Sequence, residues 1–259
     1  MNRQDSRTIV FLTGAFLHHS CWDEWVKFFE RQGYSVLTPP WPHKDAPPDV
    51  LRSRHPDREV AAMRLARLTG YFADIVMRMT ERPIVIGHSL GGLIAQQLLA
   101  RGLASKAVAL HSVPPQGVFV FSLSFLRAGW PALGFFTRAS KTFMISFRQW
   151  QYGMANGMPQ EWQEKEYCLA IPESKRVVRD TIGRAAQVDL RQTRGPLLLV
   201  AGDADRTIPA TLNYANFRRY GNSGSVTDYK VFAGRNHGVL LQPGWEEVAT
   251  YILEWVRTH

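Results

Sequence analysis

An α/β fold, with a mostly parallel central sheet, helices on both faces and an inserted helical lid, is predicted by three features of this 259-residue chain. Short β-branched or leucine-rich runs alternate with helix-forming segments in the first part of the chain and again after Pro196, the pattern of a buried parallel sheet. The pentapeptide Gly87-His88-Ser89-Leu90-Gly91 joins one such run directly to a helical one. Between His111 and Pro196 the alternation stops, and the chain becomes helical in tone and rich in aromatic residues.

The first strand is read at Thr8-Ile9-Val10-Phe11-Leu12, running into Thr13-Gly14-Ala15-Phe16. A helix from Trp22 to Gln32 follows, with Trp22, Trp25, Val26 and Phe29 at helical spacing and Gly33 as its stop. Tyr34 to Thr38 is the next strand, ended by Pro39, Pro40 and Pro42, and a proline- and arginine-rich loop runs from about Trp41 to Arg58. Glu59 to Met79 reads as one helix or two, with Gly70 as the weak point. Pro83 to Ile86 is the buried strand before the pentapeptide, and Leu93 to Ala100 the helix after it. Ala107 to Leu110, Pro196 to Ala201 and Val226 to Phe232 complete the strands, and a helix from about Trp245 to Arg257 closes the chain. Residues 1–114 and 195–259 are therefore assigned to the core and 115–194 to the lid. So long an insertion is better explained as a small subdomain than as a loop. Its aromatic residues (Phe119, Phe121, Phe125, Trp130, Phe135, Phe136, Phe143, Phe147, Trp150 and Tyr152) mostly supply a lid core, and a minority face a pocket.

Bulk properties exclude several classes. Hydrophobic content of 45% and charged content of 20% are ordinary for a globular enzyme. The net charge of +9 comes from scattered arginines, and no Lys/Arg block alternates with aromatics in a nucleic-acid module, so no nucleic-acid partner is expected. Cys21 and Cys168 are too few and too far apart for a disulfide framework or a metal site. There is no apolar run of about 18 residues, so no integral membrane association is expected. The polar start, Met1 to Arg7, lacks a secretory signal, which makes the cytoplasm the expected compartment.

The Gly-x-Ser-x-Gly pentapeptide carries the chemistry. A strand turning straight into a helix forces Ser89 onto a cramped elbow that flanking glycines relieve, and the Leu90 N–H then sits at a helix N-terminus suited to a developing oxyanion. The same glycines would also serve a plain tight turn with Ser89 as a helix cap. A serine hydroxyl needs a base. Among eight histidines His237 stands out, because Gly234-Arg235-Asn236-His237-Gly238 lies after the last strand, where open α/β sheets place their chemistry. His88 adjoins the serine, so its side chain points elsewhere; His43 and His55 lie in a polar loop. An acid must fix the imidazole, and Gly202-Asp203-Ala204-Asp205 follows the strand ending at Ala201. Asp205 is favoured because it lies further into the turn, whereas Asp203 suits a bond to backbone. The second oxyanion donor is expected from Ala15, with Phe16 as the alternative, and one of His18, His19 and Ser20 is a candidate for touching substrate.

Taken together, Leu12-Thr13-Gly14-Ala15, Gly87 to Gly92, Gly202 to Asp205 with Pro209, and Gly234 to His237 resemble the α/β-hydrolase superfamily, in the lidded branch with carboxylesterases, lactonases, haloperoxidase-like enzymes and hydroxynitrile lyases. The resemblance implies Ser89 as nucleophile, His237 as base, Asp205 as acid, and the Ala15 and Leu90 N–H groups as the oxyanion hole. Many members have His-Gly where this chain has Thr13-Gly14, a departure that bears on the loop geometry.

The expected activity is hydrolysis of a carboxylic ester or lactone through an acyl-serine, with Phe16, Trp130 and Phe143 as substrate-binding candidates and a small molecule bearing an apolar group as partner. The alternatives are a non-acyl lyase or perhydrolase on the same residues, for which Lys141 is the nominated cation, and a ligand receptor. No cofactor or metal is expected, since Gly87 to Gly92 lacks the lysine of a P-loop.

Overall fold

The computed structural model describes residues 6–134, 138–221 and 224–259, without the side chains of residues 125, 130 and 132. In chain order the elements are β1 (Thr8–Leu12), α1 (Asp23–Arg31), β2 (Ser35–Leu37), α2 (Pro48–Ser53), α3 (Arg58–Ala62), α4 (Leu65–Met77), β3 (Ile84–His88), α5 (Leu90–Ala100) and β4 (Lys106–Leu110). There follow α6 (Leu123–Leu133), β5 (Thr142–Phe143), α7 (Phe147–Gly153), α8 (Gln160–Tyr167), β6 (Glu173–Ser174), α9 (Lys175–Asp180), β7 (Leu197–Gly202), α10 (Ala210–Arg219), β8 (Thr227–Phe232) and α11 (Trp245–Thr258).

Six strands form one sheet in the order β2-β1-β3-β4-β7-β8, and every neighbouring pair is parallel. All the carboxyl ends of these strands therefore face one edge. Alternate side chains feed two apolar layers, as the pleat requires. Ile9, Phe11, Ile84, Ile86, Val108, Leu110, Leu198 and Val200 point to the layer completed by α1 and α11, where Trp22 stacks on Phe11 at 4.3 Å and Trp25 on Trp245 at 5.4 Å. Val10, Leu12, Val85, Ala107, Ala109, Leu197 and Leu199 point to the opposite layer, which α4 and α5 cover. Helices thus lie on both faces.

Glycine sets how closely α5 approaches the sheet. A Cβ on Gly87 would come within 2.1 Å of the Gly91 carbonyl oxygen, and one on Gly91 within 2.0 Å of the Leu12 oxygen. No L side chain fits there, so β1, β3 and α5 are locked around the elbow by backbone-to-backbone contact.

The segment between β4 and β7 carries four helices and also a short antiparallel ribbon, β5 with β6, that the sequence pattern does not announce. Its aromatic residues divide. Trp150 is buried, Phe143 and Phe147 are half-buried, and Phe119 and Phe121 are both 69% exposed rather than part of a core. Phe135 and Phe136 lie outside the described residues, as do the side chains of Phe125 and Trp130.

Two expectations are corrected. The stretch after Trp41 is not all loop, because α2 forms with Pro48 at its first position, where proline's fixed φ suits a helix start. The helical stretch from Glu59 breaks at Met63 and Arg64, which are extended, and not at Gly70. The break is held from outside: Asp180 of α9 accepts from the Leu65 N–H at 3.1 Å and pairs with Arg64 at 2.9 Å, while Ser174 donates to the Met63 carbonyl. Between β7 and β8 the chain also carries α10, where the sequence reading assigns no element. Among the described residues no helix is long and apolar enough to cross a membrane.

Two alanine substitutions separate the roles of glycine here. Gly70 lies inside α4 with nothing within 4 Å of an added Cβ, so Gly70→Ala is expected to stabilise the protein by about 0.5–1 kcal/mol. Gly91→Ala is expected to cost more than about 4 kcal/mol or to abolish folding. Denaturant titration of both variants checks this.

Candidate active site

Ser89 stands between β3 and α5 with φ of 56°, a left-handed conformation rare for a residue with a side chain. The strain is held by four backbone bonds. The Ser89 N–H donates to the Leu110 carbonyl at 2.9 Å, and the Ser89 carbonyl accepts from Gly92, Leu93 and Val113. The side chain is thereby presented at the carboxyl edge of the sheet, where the turns after β7 and β8 converge on it.

His237 follows β8. Its Nε2 lies 3.0 Å from Ser89 Oγ, and its Nδ1 lies 2.8 Å from Asp205 Oδ2. Asp205, in the turn after β7, is 4% exposed and His237 is 1% exposed, so the chain of bonds is shielded from water while Ser89 keeps 8% exposure. Asp205 Oδ1 accepts from the Thr207 and Ile208 N–H groups at 2.8 and 2.7 Å, and Oδ2 accepts a second bond, from His111 Nδ1 at 2.8 Å. Burial pushes this carboxyl up, but the His237 imidazole and the bonds from His111 and His237 outweigh it and hold Asp205 well below the usual carboxylate range. Asp203 is instead exposed, and its Oδ1 accepts from the Gly234 N–H at 2.7 Å, tying the two turns together. Of the two acids the sequence offers, the structure brings Asp205 to the histidine.

His88 points away from Ser89. Its Nε2 donates to the His237 carbonyl at 2.8 Å and so steadies the loop that carries the base. Burial, with His237 and His111 adding to it, holds His88 well below the usual imidazole range, so it is a neutral strut. The same loop is fixed from the inserted segment, since the Gly238 N–H donates to the Met154 carbonyl and Asn236 donates to the Asn156 carbonyl, both at 2.8 Å.

The loop after β1 presses on Ser89 from the other side. A Cβ on Gly14 would lie 2.8 Å from Ser89 Cβ, which places the Ala15 backbone against the nucleophile's side of the elbow. Neither the Ala15 nor the Leu90 N–H has an acceptor among the described hydrogen bonds. The alternative donor, Phe16, is spoken for: its N–H donates to Glu173 Oε2 at 3.2 Å, and its carbonyl accepts from Ile171. Thr13 explains how this loop does without the more common histidine. Its hydroxyl accepts from the Trp22 indole at 3.1 Å and its carbonyl from the Trp41 indole at 3.2 Å.

Phe16 and Phe143 meet edge to face at 5.9 Å, whereas the Trp130 side chain lies outside the described residues. His18, a candidate for substrate contact, is buried and bonds Ser20 through Nδ1. Lys141 is exposed in a surface cleft with Arg58 and Arg176.

Two partners were not anticipated. Glu173 on β6 is 1% exposed and binds Lys44 Nζ at 2.5 Å in a buried ion pair, with Lys44 lying over the Trp41 ring. This pair carries the bond to Phe16, so it braces the Ala15 loop. The second is His111 at the end of β4. One grouping among the described residues, His111, Asp205 and His237, has ligand atoms close enough for a metal, within 4.8 Å. Both imidazoles already donate to the one carboxylate oxygen, and this accounts for their proximity.

The fold is matched by the comparisons. Residues 9–250 fit the model of the alpha/beta hydrolase family, and the chain belongs to that family. No curated protein matches it by sequence. Among solved structures it is similar to a methylesterase from Arabidopsis, at 13% identity and TM-score 0.68, covering 97% of this chain and 99% of that one. It is also similar to tomato methylketone synthase I, at 14% identity and TM-score 0.72 over 97% and 98% of the two chains. A monoacylglycerol lipase from Paleococcus ferrophilus aligns at 17% identity and TM-score 0.67 over 96% and 93%.

Glu166 on α8 makes the site's surroundings sensitive to pH. It is 2% exposed and packs on Gly238, where an added Cβ would lie 2.7 Å from Oε2. Among the described residues neither carboxyl oxygen has a partner at good hydrogen-bond geometry, and burial, against the weaker pull of the neighbouring Trp150 indole, pushes the group up to about 8. Such an acid is neutral when folded but ionises from about its ordinary 4.5 when unfolded, so stability falls as pH rises between the two values. Glu166→Gln is expected to match the native chain near the lower value. Its advantage should then grow toward the higher one by up to about 1.4 kcal/mol per pH unit. Denaturation at graded pH reads the difference, and a gap that does not widen contradicts the account.

Proposed function

We propose that this chain is a serine hydrolase that cleaves a carboxylic ester or lactone through an acyl-Ser89 intermediate. The observation that carries the reading is the continuous chain from Ser89 Oγ through His237 to Asp205, at 3.0 and 2.8 Å, with the serine on a strained elbow. His237 Nε2 takes the Ser89 proton as Oγ attacks the carbonyl carbon, and Asp205 stabilises the imidazolium that forms. The unengaged N–H groups of Ala15 and Leu90 receive the charge of the tetrahedral intermediate, each contributing about 3 kcal/mol by analogy with measured oxyanion donors. The intermediate collapses, His237 protonates the leaving alkoxide, and the acyl group stays on Ser89. Water then gives a proton to His237 as its oxygen attacks the acyl carbon; the C–Oγ bond breaks, His237 returns the proton to Ser89 Oγ, and the acid leaves. The Phe16–Phe143 pair beside the Ala15 loop supports an apolar group on the substrate.

The lyase reading has less support, because its nominated cation, Lys141, lies exposed among other surface cations in a cleft that includes none of Ser89, Asp205 and His237.

Intact-protein mass after treatment with a fluorophosphonate, together with turnover of p-nitrophenyl esters of graded chain length, tests the proposal. The native chain is expected to gain one adduct as Ser89 Oγ displaces fluoride. Ser89→Ala should gain none and lose turnover by about 10⁶-fold in kcat. Folded native protein with neither adduct nor turnover would move the assignment to a receptor or a non-acyl lyase.

A further inference from the structure

His111 is a polar side chain bonded directly to the Asp205 carboxylate that the mechanism above leaves unused. It ends β4, is 0% exposed, and has φ of 48°. Its Nε2 is buried without a partner, so its only described side-chain hydrogen bond is Nδ1 to Asp205 Oδ2 at 2.8 Å. A left-handed backbone is unfavourable for a residue with a side chain, and so is an orphaned buried nitrogen. An apolar residue would avoid the second cost. The surroundings are nevertheless shaped to hold this ring. The His111 N–H donates to the Val200 carbonyl at 2.7 Å, and a Cβ on Gly202, the last residue of β7, would strike the Arg235 carbonyl oxygen at 2.1 Å and His111 Cε1 at 2.7 Å, so the bare glycine makes room for the Arg235 backbone and for the imidazole together. The next residue is locked as well, with the Ser112 N–H on Asn213 Oδ1 and Gln96 donating to Ser112 Oγ.

We propose that His111 is a positioning residue for the reaction: a second imidazole that shares the Asp205 Oδ2 atom with His237, aims the carboxylate, and tempers the pull of its charge on the base. The inference rests on the hydrolase reading for its kinetic consequence but not for the bond itself. Because Oδ2 accepts from both rings, each Nδ1 carries a hydrogen, and His111 is the Nδ1–H tautomer with Nε2 bare. The titratable groups facing it are Asp205 from the β7 turn, His237 from the β8 loop, with ring centres 6.2 Å apart, and His88 from β3 at 6.3 Å. Burial first, and His237 second, disfavour a charge on His111, against the attraction of Asp205. A donor on a carboxylate draws off part of its charge. With His111 present, the Asp205 carboxylate therefore pulls on the His237 imidazole less strongly than a lone carboxylate would.

The test uses His111→Leu, which removes the donor, and His111→Asn, whose Nδ2 sits where Nδ1 was and whose side chain tolerates a left-handed backbone. The acid limb of the kcat/KM profile is expected to move to higher pH in His111→Leu by at least about half a unit, with a lower plateau. In His111→Asn it should return toward the native position. A lowered plateau in His111→Leu with an unmoved acid limb would reduce the residue to packing and overturn the proposal. Should His111→Leu not fold, an acid limb in His111→Asn displaced as far as about half a unit would overturn it too. Nitrogen-15 NMR of histidine-labelled native protein reads the bond without any substrate. A His111 signal that stays neutral and Nδ1-protonated across the pH range supports the proposal; an Nε2-protonated or titrating His111 overturns it. Loss of the hydrolase reading would show as absent ester turnover with the NMR result intact.

Discussion

The buried carboxylate of Asp205 is the point on which the site depends. A fully desolvated charge is costly unless its lone pairs are used, and here four donors use them: two backbone N–H groups on Oδ1 and two imidazoles on Oδ2. The backbone pair comes from the turn that begins α10, and the imidazoles come from the ends of β4 and β8. One carboxylate therefore ties three separate parts of the sheet edge together, and His237 can reach Ser89 only while those parts stay in register.

The parallel sheet makes that convergence available. Because β3, β4, β7 and β8 run the same way, Ser89, His111, Asp205 and His237 all emerge at one edge although they are spread over much of the chain. Glycine contacts fix the elbow from below, and the inserted segment fixes the loops from above. Met154 and Asn156, between α7 and α8, hold the His237 loop through backbone carbonyls. Glu173 and Lys44 hold the Ala15 loop through a buried ion pair. The insertion is thus bound into the site's framework.

Ser89, Asp205 and His237 were legible because each follows a recognisable apolar strand at the point where open sheets carry chemistry, and the spacing of glycines marks the turns. The supporting residues were not legible, for a physical reason. His111 meets Asp205 across 94 positions and Lys44 meets Glu173 across 129, and no local pattern announces a partner at such range. Thr13 was visible as a departure, but its use as acceptor for the Trp22 indole depends on how α1 packs. The break at Met63 was likewise set by Asp180 on a distant helix, against a local propensity that pointed to Gly70. Local reading found the strands, the elbow and the three side chains that meet at the sheet edge, and tertiary packing decided what steadies them.

The most direct test of the account is kcat/KM for Asp205→Asn, measured beside Asp203→Asn on folded protein. An amide at position 205 keeps the shape but cannot accept two imidazole N–H bonds as a charged oxygen does. A fall of about 10⁴-fold is predicted, as expected when a carboxylate that sets the tautomer of a base is neutralised. Asp203→Asn should leave the rate near the native value. An Asp205→Asn rate within about tenfold of native, far short of the loss that removing such an acid brings, would contradict the claim that this carboxylate organises the site.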